Sequence, residues 1–380
     1  MVTLPRQRAP VRRIAPALLL CAALCACATY KDRPLPAGPD LAASAARLSV
    51  DVSRLRLGPL KAHRLDPVDG LDPTDVAILA VLNSPDLAAK RALAKVAGAQ
   101  AFAAGLLPDP QLTFTVDVPN PGQSATTAYN LNPNLDLVGL ITHSSARKAA
   151  RASANQADLD LLWAEWSVAQ QARQLAVTVL ADEAKAGVLG AIAAGLDARY
   201  AQSRRALATH DITAVTASAD LAVKLDADAQ LATTRRDAAK ARGDLNALIG
   251  LAPTARLTLI TGAAASEPDG AALDAALAAL PARRPDLLAL RAGYRAQDAN
   301  LRKAILMQFP LINIGFSHQR DNTAIVSNGV SGTLTLPIFH RGRGEIAVQS
   351  ATRERLLAEY HARLDQTVAE VAAARRDREA

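Results

Sequence analysis

The chain has 380 residues, a formal net charge of +7 and a half-hydrophobic composition in which only 3% of residues are aromatic. That balance excludes a core built on large rings, and Ala-rich, aromatic-poor sequence suits long helices packed at close range. Four of the positive charges, Arg6, Arg8, Arg12 and Arg13, crowd the first residues. The remainder carries too little excess charge to imply a nucleic-acid partner.

Those arginines precede an apolar stretch at 14–24, too short to span a bilayer core of about 30 Å as a helix. Cys21, Cys25 and Cys27 fall in or beside it and no cysteine follows, which leaves no disulfide framework or Cys-based metal site further along. Leu24-Cys25-Ala26-Cys27 resembles the lipobox of bacterial lipoproteins. The resemblance implies a signal peptide over 1–26 and a lipidated Cys27, anchored stably because it would carry two acyl chains rather than one. Ala28, where an Asp would redirect sorting, leans towards the outer membrane. Residues 27–70 are Pro-rich and weakly patterned, and are expected to form an extended tail.

Asp72-Pro73-Thr74-Asp75 is a helix-start signal, and a second start follows at Ser84-Pro85-Asp86. The chain then repeats itself with a shift of 200 residues. Pro85-Asp86-Leu87 falls on Pro285-Asp286-Leu287, Arg91-Ala92 on Arg291-Ala292 and Pro110 on Pro310, with ten of 26 positions identical between 85 and 110. Alanine content alone does not place Pro, Asp, Leu and Arg in one register, so the chain reads as a duplication.

Each copy passes from helix to strands at the same place. Strands are expected at about 110–118 and 128–138, where Leu112, Phe114 and Val116 alternate with Thr113, Thr115 and Asp117. The second pair is expected at about 310–318 and 330–339, where Val330, Leu334, Leu336 and Ile338 oppose Ser331, Thr333 and Thr335. A period of two with Thr, Asn and Ser on the wet side is the pattern of a membrane barrel strand. No internal run is long enough for a transmembrane helix, so any crossing falls to these strands. Four strands cannot close a barrel, which needs at least about eight; the count itself implies a homo-oligomer.

No proline occurs between Pro133 and Pro253. A helical hairpin is expected over 144–248, its first arm reaching roughly 95 Å at about 1.5 Å per residue. Ala208-Thr209-His210-Asp211-Ile212-Thr213 breaks it, and Asp211 or Thr213 can cap the returning helix. A first repeat thus occupies 71–250, a linker 251–284 and a second repeat 285–380.

Together these features resemble the TolC-like outer-membrane factor family, most specifically in Asn83-Ser84-Pro85-Asp86-Leu87, Arg284-Pro285-Asp286-Leu287 and Leu336-Pro337-Ile338-Phe339. The resemblance implies a mainly α fold with a small β part, in duplicated helix–strand–strand–helix units. Long antiparallel hairpins would form a helical barrel, and four strands would join an oligomeric outer-membrane β-barrel. It implies a homotrimer, lipid-anchored in the outer membrane with helices in the periplasm, through which solutes leave passively. An inner-membrane pump and a periplasmic adaptor would be its partners, the adaptor docking at Thr209, His210, Asp211 and Ile212. His210 stands where such tips usually carry Gly, and the second repeat is shorter than the first, as though truncated. Two alternatives follow: an adaptor-type periplasmic lipoprotein, which would flank one hairpin with β-rich lipoyl-like halves, and a truncated, non-conducting relative.

Chemistry of other kinds finds no support in the sequence. None of His63, His143, His210, His318, His340 and His361 is spaced three or four residues from another, so no metal site or cofactor is expected. His318 and His340, near strand ends, could line a wet mouth. Arg341-Gly342-Arg343-Gly344 reads as a strand-to-helix turn rather than a phosphate cradle, and Trp163 and Trp166 as packing. With no nucleophile–base–orienter set, no catalytic residue is named and an enzyme is not expected.

Overall fold

The computed structural model describes residues 29–65, 70–122, 124–262 and 270–379. The expected signal peptide and lipidated Cys27 lie outside them. Residues 29–40 belong to one compact unit and are extended and exposed, Tyr30 and Leu35 among them. The second unit begins at Leu41 and holds everything below.

Its core is organised around a short helix that is apolar on every side. The tail leads through two 3₁₀ turns and a single turn α1 (Gly58–Lys61) to α2 (Pro73–Asn83). Asp72 caps α2 by accepting the backbone N–H groups of Thr74 and Asp75, at 2.6 and 2.8 Å, while the Asp75 carboxylate accepts from Asp72 N. Every residue from Asp75 to Leu82 is buried, as expected of a helix with no polar stripe. Leu48, Leu55, Leu60 and Leu71 pack against it, with Leu161, Ala172, Leu245, Ile249 and Leu257 from elsewhere in the chain.

The expected extended tail at 27–70 is therefore corrected over its second half. Its prolines and glycines suppress helical periodicity, but its spaced leucines are core anchors. The expected linker 251–284 is corrected likewise. Leu251 and Leu259 make parallel bridges to Ala42 and Leu71, and α6 (Gly270–Arg283) occupies its end.

The duplication is visible in the order of elements. α3 (Pro85–Ala103), β1 (Gln111–Asp117), β2 (Ala128–Leu135) and α4 (Leu137–Ala208) form the first set. After α5 (Ala214–Ile249) and α6, the set repeats as α7 (Pro285–Leu306), β3 (Leu311–Arg320), β4 (Val326–Thr335) and α8 (Arg343–Glu379). Several boundaries differ from expectation, among them the end of β2 at Leu135 and the start of β4 at Val326. The Asp136 carboxylate accepts Gly139 N at 2.8 Å and caps α4 at Leu137, seven residues before the expected Ser144. β4 ends at Thr335 rather than 339, because Pro337 has no N–H for the ladder.

α4 has 72 residues and so extends about 108 Å. It packs against α5; Val179 and Ala193 on one arm and Ala217, Ala227, Leu231, Ala238 and Ala241 on the other are buried, while Ala169, Ala172 and Ala176 belong to the core around α2. Gly250, at φ +80°, ends α5 in the left-handed region and approaches Asn83 O closely, a position no L side chain fills without strain.

One ion pair fastens α3 to α4. Arg91 Nη2 donates to Glu165 Oε1 at 3.0 Å and to Val81 O at 2.6 Å, and Glu165 is 1% exposed. Removing one partner of a buried pair strands the other charge. Arg91→Ala should therefore destabilise the protein by about 3–5 kcal/mol, while Arg91→Met with Glu165→Leu should recover most of that loss. Urea unfolding followed by far-UV circular dichroism checks both; equal loss in single and double variants would contradict the assignment.

Candidate functional site: an amphipathic sheet joined to a helical hairpin

The four strands form one antiparallel sheet in the order β1-β2-β3-β4, so β2 and β3 join the two repeats and β1 and β4 are edges. The register keeps side chains of one kind on one face. Phe114 pairs with Leu131, Val116 with Tyr129, Leu135 with Ile314 and Phe316 with Val330. Thr113 pairs with Asn132, Thr115 with Asn130, Asn134 with Gly315 and Asn313 with Thr333 on the other face. The chain leaves the apolar face uncovered: Phe114 is 64%, Phe316 62% and Val330 73% exposed. Contiguous apolar surface of this kind marks a membrane or protein contact rather than a surface meant for water.

Two residues shape the polar face. A methyl group on Gly315 would collide with the side-chain oxygens of Asn134, Asn132 and Ser331, so glycine leaves room for these groups over the sheet. Pro133 lacks an N–H, and the β2–β3 pairs skip Asn132 and Pro133. The shielded amide oxygens of Asn130 and Asn313 have no partner among the described residues, and buried groups of this sort normally require one.

His318 does not line the polar face, contrary to the position argument from sequence. It pairs with Leu131 and Asn328 at the end of the apolar face. Its Nδ1–H donates to Asn328 Oδ1 at 2.6 Å, which leaves Nε2 to accept the Tyr129 hydroxyl at 3.3 Å. With Arg320 opposite Tyr129 and Val326, the group forms a polar, aromatic border to the apolar band. His340 sits in the turn after β4, where Nδ1 accepts Gly342 N at 3.1 Å.

Trp163 and Trp166 stack with centroids 4.9 Å apart, and Arg284 lies over Trp163 at 4.7 Å. Arg284 and Arg363 share the Asp286 carboxylate at 2.9 and 2.7 Å, and both reach Glu370 at 3.2 Å. This cluster clamps α7 and α8 onto α4, joining the second repeat to the first.

Thr209, His210, Asp211 and Ile212 are brought together at the far end of the hairpin. His210 N donates to Leu207 O at 3.1 Å and Asp211 N to Ala206 O at 2.8 Å, a Schellman termination. That geometry needs a left-handed residue, and His210 supplies it at φ +66°. The Thr209 hydroxyl contacts the Asp211 carboxylate and Ala206 O, while Thr213 caps α5 by accepting Thr216 N at 3.3 Å. Asp220 accepts from Ser203 and from Arg199 across the hairpin, and these bonds, the Ser203 hydroxyl foremost, hold its carboxyl below the ordinary value of 3.8.

Solved structures share this arrangement. CusC, described in terms of folding and transmembrane channel formation, is 16% identical over 93% of this chain and 83% of that chain, with a TM-score of 0.65. The outer-membrane channel OprN is 16% identical over 92% and 83%, at 0.67, and the outer-membrane protein VceC of Vibrio cholerae 17% over 81% and 79%, at 0.61. The chain has the outer-membrane factor fold. No protein-family model and no curated protein sequence matches it.

One cluster of possible metal ligands accompanies this fold among the described residues: His63, Asp72 and Asp75. Sequence spacing hides it, since His63 lies far from both carboxylates along the chain. His63 Nε2 is 3.0 Å from Asp75 Oδ1, but both carboxylates already accept backbone N–H groups of the α2 cap. The arrangement fastens the tail to α2.

Two outcomes follow for the tip of this outer-membrane factor fold. His210→Val, β-branched in a left-handed position, should weaken the local turn by about 1–2 kcal/mol, and His210→Gly should not; amide hydrogen exchange over 200–217 measures both. Because Asp220 is depressed when folded, its contribution is present above the ordinary value and is lost as pH falls through the folded one. Exchange protection at the hairpin, corrected for intrinsic rates, should therefore fall as the solution is acidified through and below 3.8, and Asp220→Asn should abolish the drop.

Proposed function

We propose that the chain is one protomer of an oligomeric outer-membrane channel, a passive duct for solutes that works with a periplasmic adaptor and an inner-membrane pump. The sheet carries this reading. Its apolar face is uncovered, its other face is polar, and both edge strands lack an outer neighbour among the described residues. In lipid each unpaired backbone group costs several kcal/mol, so an open four-stranded sheet is tolerable only if other copies seal it. Three copies would supply twelve strands and a water-filled interior, above the minimum of about eight.

The hairpin gives the duct length. One arm of about 108 Å and a returning arm of about 54 Å could continue the barrel into the periplasm, with Thr209, His210, Asp211 and Ile212 as the docking tip for the adaptor. A lipidated Cys27 would anchor the tail in the same membrane. Driving force would come from the pump, and nothing in this role calls for catalysis. The duplicated helix–strand–strand–helix order and a single four-stranded sheet among the described residues favour the channel over the adaptor-type alternative, which calls for lipoyl-like halves.

Extraction of the outer membrane in mild detergent should yield a trimer that conducts ions in a planar bilayer. A monomer without conductance would overturn the reading in favour of a non-conducting or adaptor role.

A further inference from the structure

Eighteen strand positions lie on the polar face of the sheet by the pairing register, from Gln111 to Thr335. They are filled by Asn, Thr, Ser, Gln, Gly, Ala and Leu, with one exception: Asp117 is the single ionisable residue of that face. It pairs with Ala128 at the last position of β1, at the end of the sheet away from the helices. Its side chain is exposed, and it makes no hydrogen bond or ion pair with any described residue.

The neighbouring charges at that end do not cancel it. Arg320 pairs with Tyr129 and Val326 and so belongs to the opposite, apolar face. Asp321 lies in the β3–β4 turn, where it accepts from Thr323 and Ile325. The β1–β2 turn is fastened to that turn by Thr126 N and its hydroxyl on Asn322 O, at 2.9 and 3.2 Å. Described residues of the β1–β2 turn add no charge. Cationic charge is thus displaced to the outer wall, while the inner side of the rim is acidic.

We infer that Asp117 sets an electrostatic preference for cations at the outer mouth of the duct, through a ring of its copies around an otherwise uncharged barrel. The inference rests on the channel reading. Rings of acidic side chains favour cations because like charge is excluded and opposite charge concentrated at the constriction. A wide, wet barrel weakens the effect. At about 0.1 M salt the screening length is about 10 Å and at about 1 M only about 3 Å, so the preference belongs to dilute solution and vanishes in concentrated salt. Solutes bearing net positive charge, rather than anions, are the class that this mouth admits more readily.

The test is ion selectivity of the full-length protein in planar bilayers, read as the reversal potential in a potassium chloride gradient centred near 0.1 M. Asp117→Asn should lower the cation-to-anion permeability ratio by about two- to five-fold, the size expected from three charges about 10 Å from a passing ion at that salt. Asp117→Lys should lower it further, and conductance of all three proteins at about 1 M should agree because the charge is then screened. That agreement also shows that the variants assemble. A ratio unchanged by both substitutions, in channels that conduct, overturns the role of Asp117 and leaves the channel reading standing. Absence of conductance in the unmodified protein overturns both.

Discussion

Backbone hydrogen bonding at the two sheet edges is the constraint on which the rest depends. Among the described residues β1 and β4 each have one neighbour, and one face of the sheet is apolar and uncovered. In water such an edge invites aggregation; in lipid it is costlier still, because no solvent satisfies the free N–H and C=O groups. In the proposed channel both problems have the same solution, which is closure by sister chains. The Asn-, Thr- and Ser-bearing face then turns inward, where water can serve Asn130 and Asn313.

The helical part solves a different problem with a different side chain. A hairpin paired over about 54 Å, the length of α5, needs a seam that holds along its whole length without bulky layers. Buried Ala193 on one arm and Ala217, Ala227, Ala238 and Ala241 on the other let the two backbones approach closely, and this is why so few aromatic residues suffice. Where the repeats meet, specificity comes instead from charge: Arg284 and Arg363 converge on Asp286, with Trp163 beneath them. Asp286 is 8% exposed, so loss of its arginines would strand a buried charge, and the cluster fixes the position of α7 and α8 on α4.

Much of this was legible in residue order because the informative patterns are local. Alternation in Leu112, Phe114 and Val116 survives into the register, and the tip at Thr209–Ile212 could be placed by the break in helical pattern alone. His210 in the left-handed region follows from the same turn. Long-range features were not legible. Leu48, Leu55 and Leu60 look isolated in a Pro-rich tail, yet tertiary contacts make them core. The run after Asp136 is apolar enough to pass for more strand, and only the cap on Gly139 shows that α4 has begun. Neither His63 beside Asp75 nor Trp163 beneath Arg284 has a sequence signal, since the partners are far apart along the chain. Asp117 was noted as one polar residue in an alternating strand; its isolation emerges only when all four strands are set in register.

The central claim is that one face of this sheet meets lipid and the other meets water. Single cysteines at Leu112, Thr113, Phe114, Thr115 and Val116, with nitroxide labels attached and Cys27 kept because its expected lipidation occupies the sulfur, test it in membranes containing the assembled protein. Accessibility should alternate residue by residue: labels at the even positions exposed to oxygen dissolved in the bilayer, and those at the odd positions exposed to a water-soluble relaxation agent. Equal access of the water-soluble agent to both sets would mean that the sheet is not in the membrane.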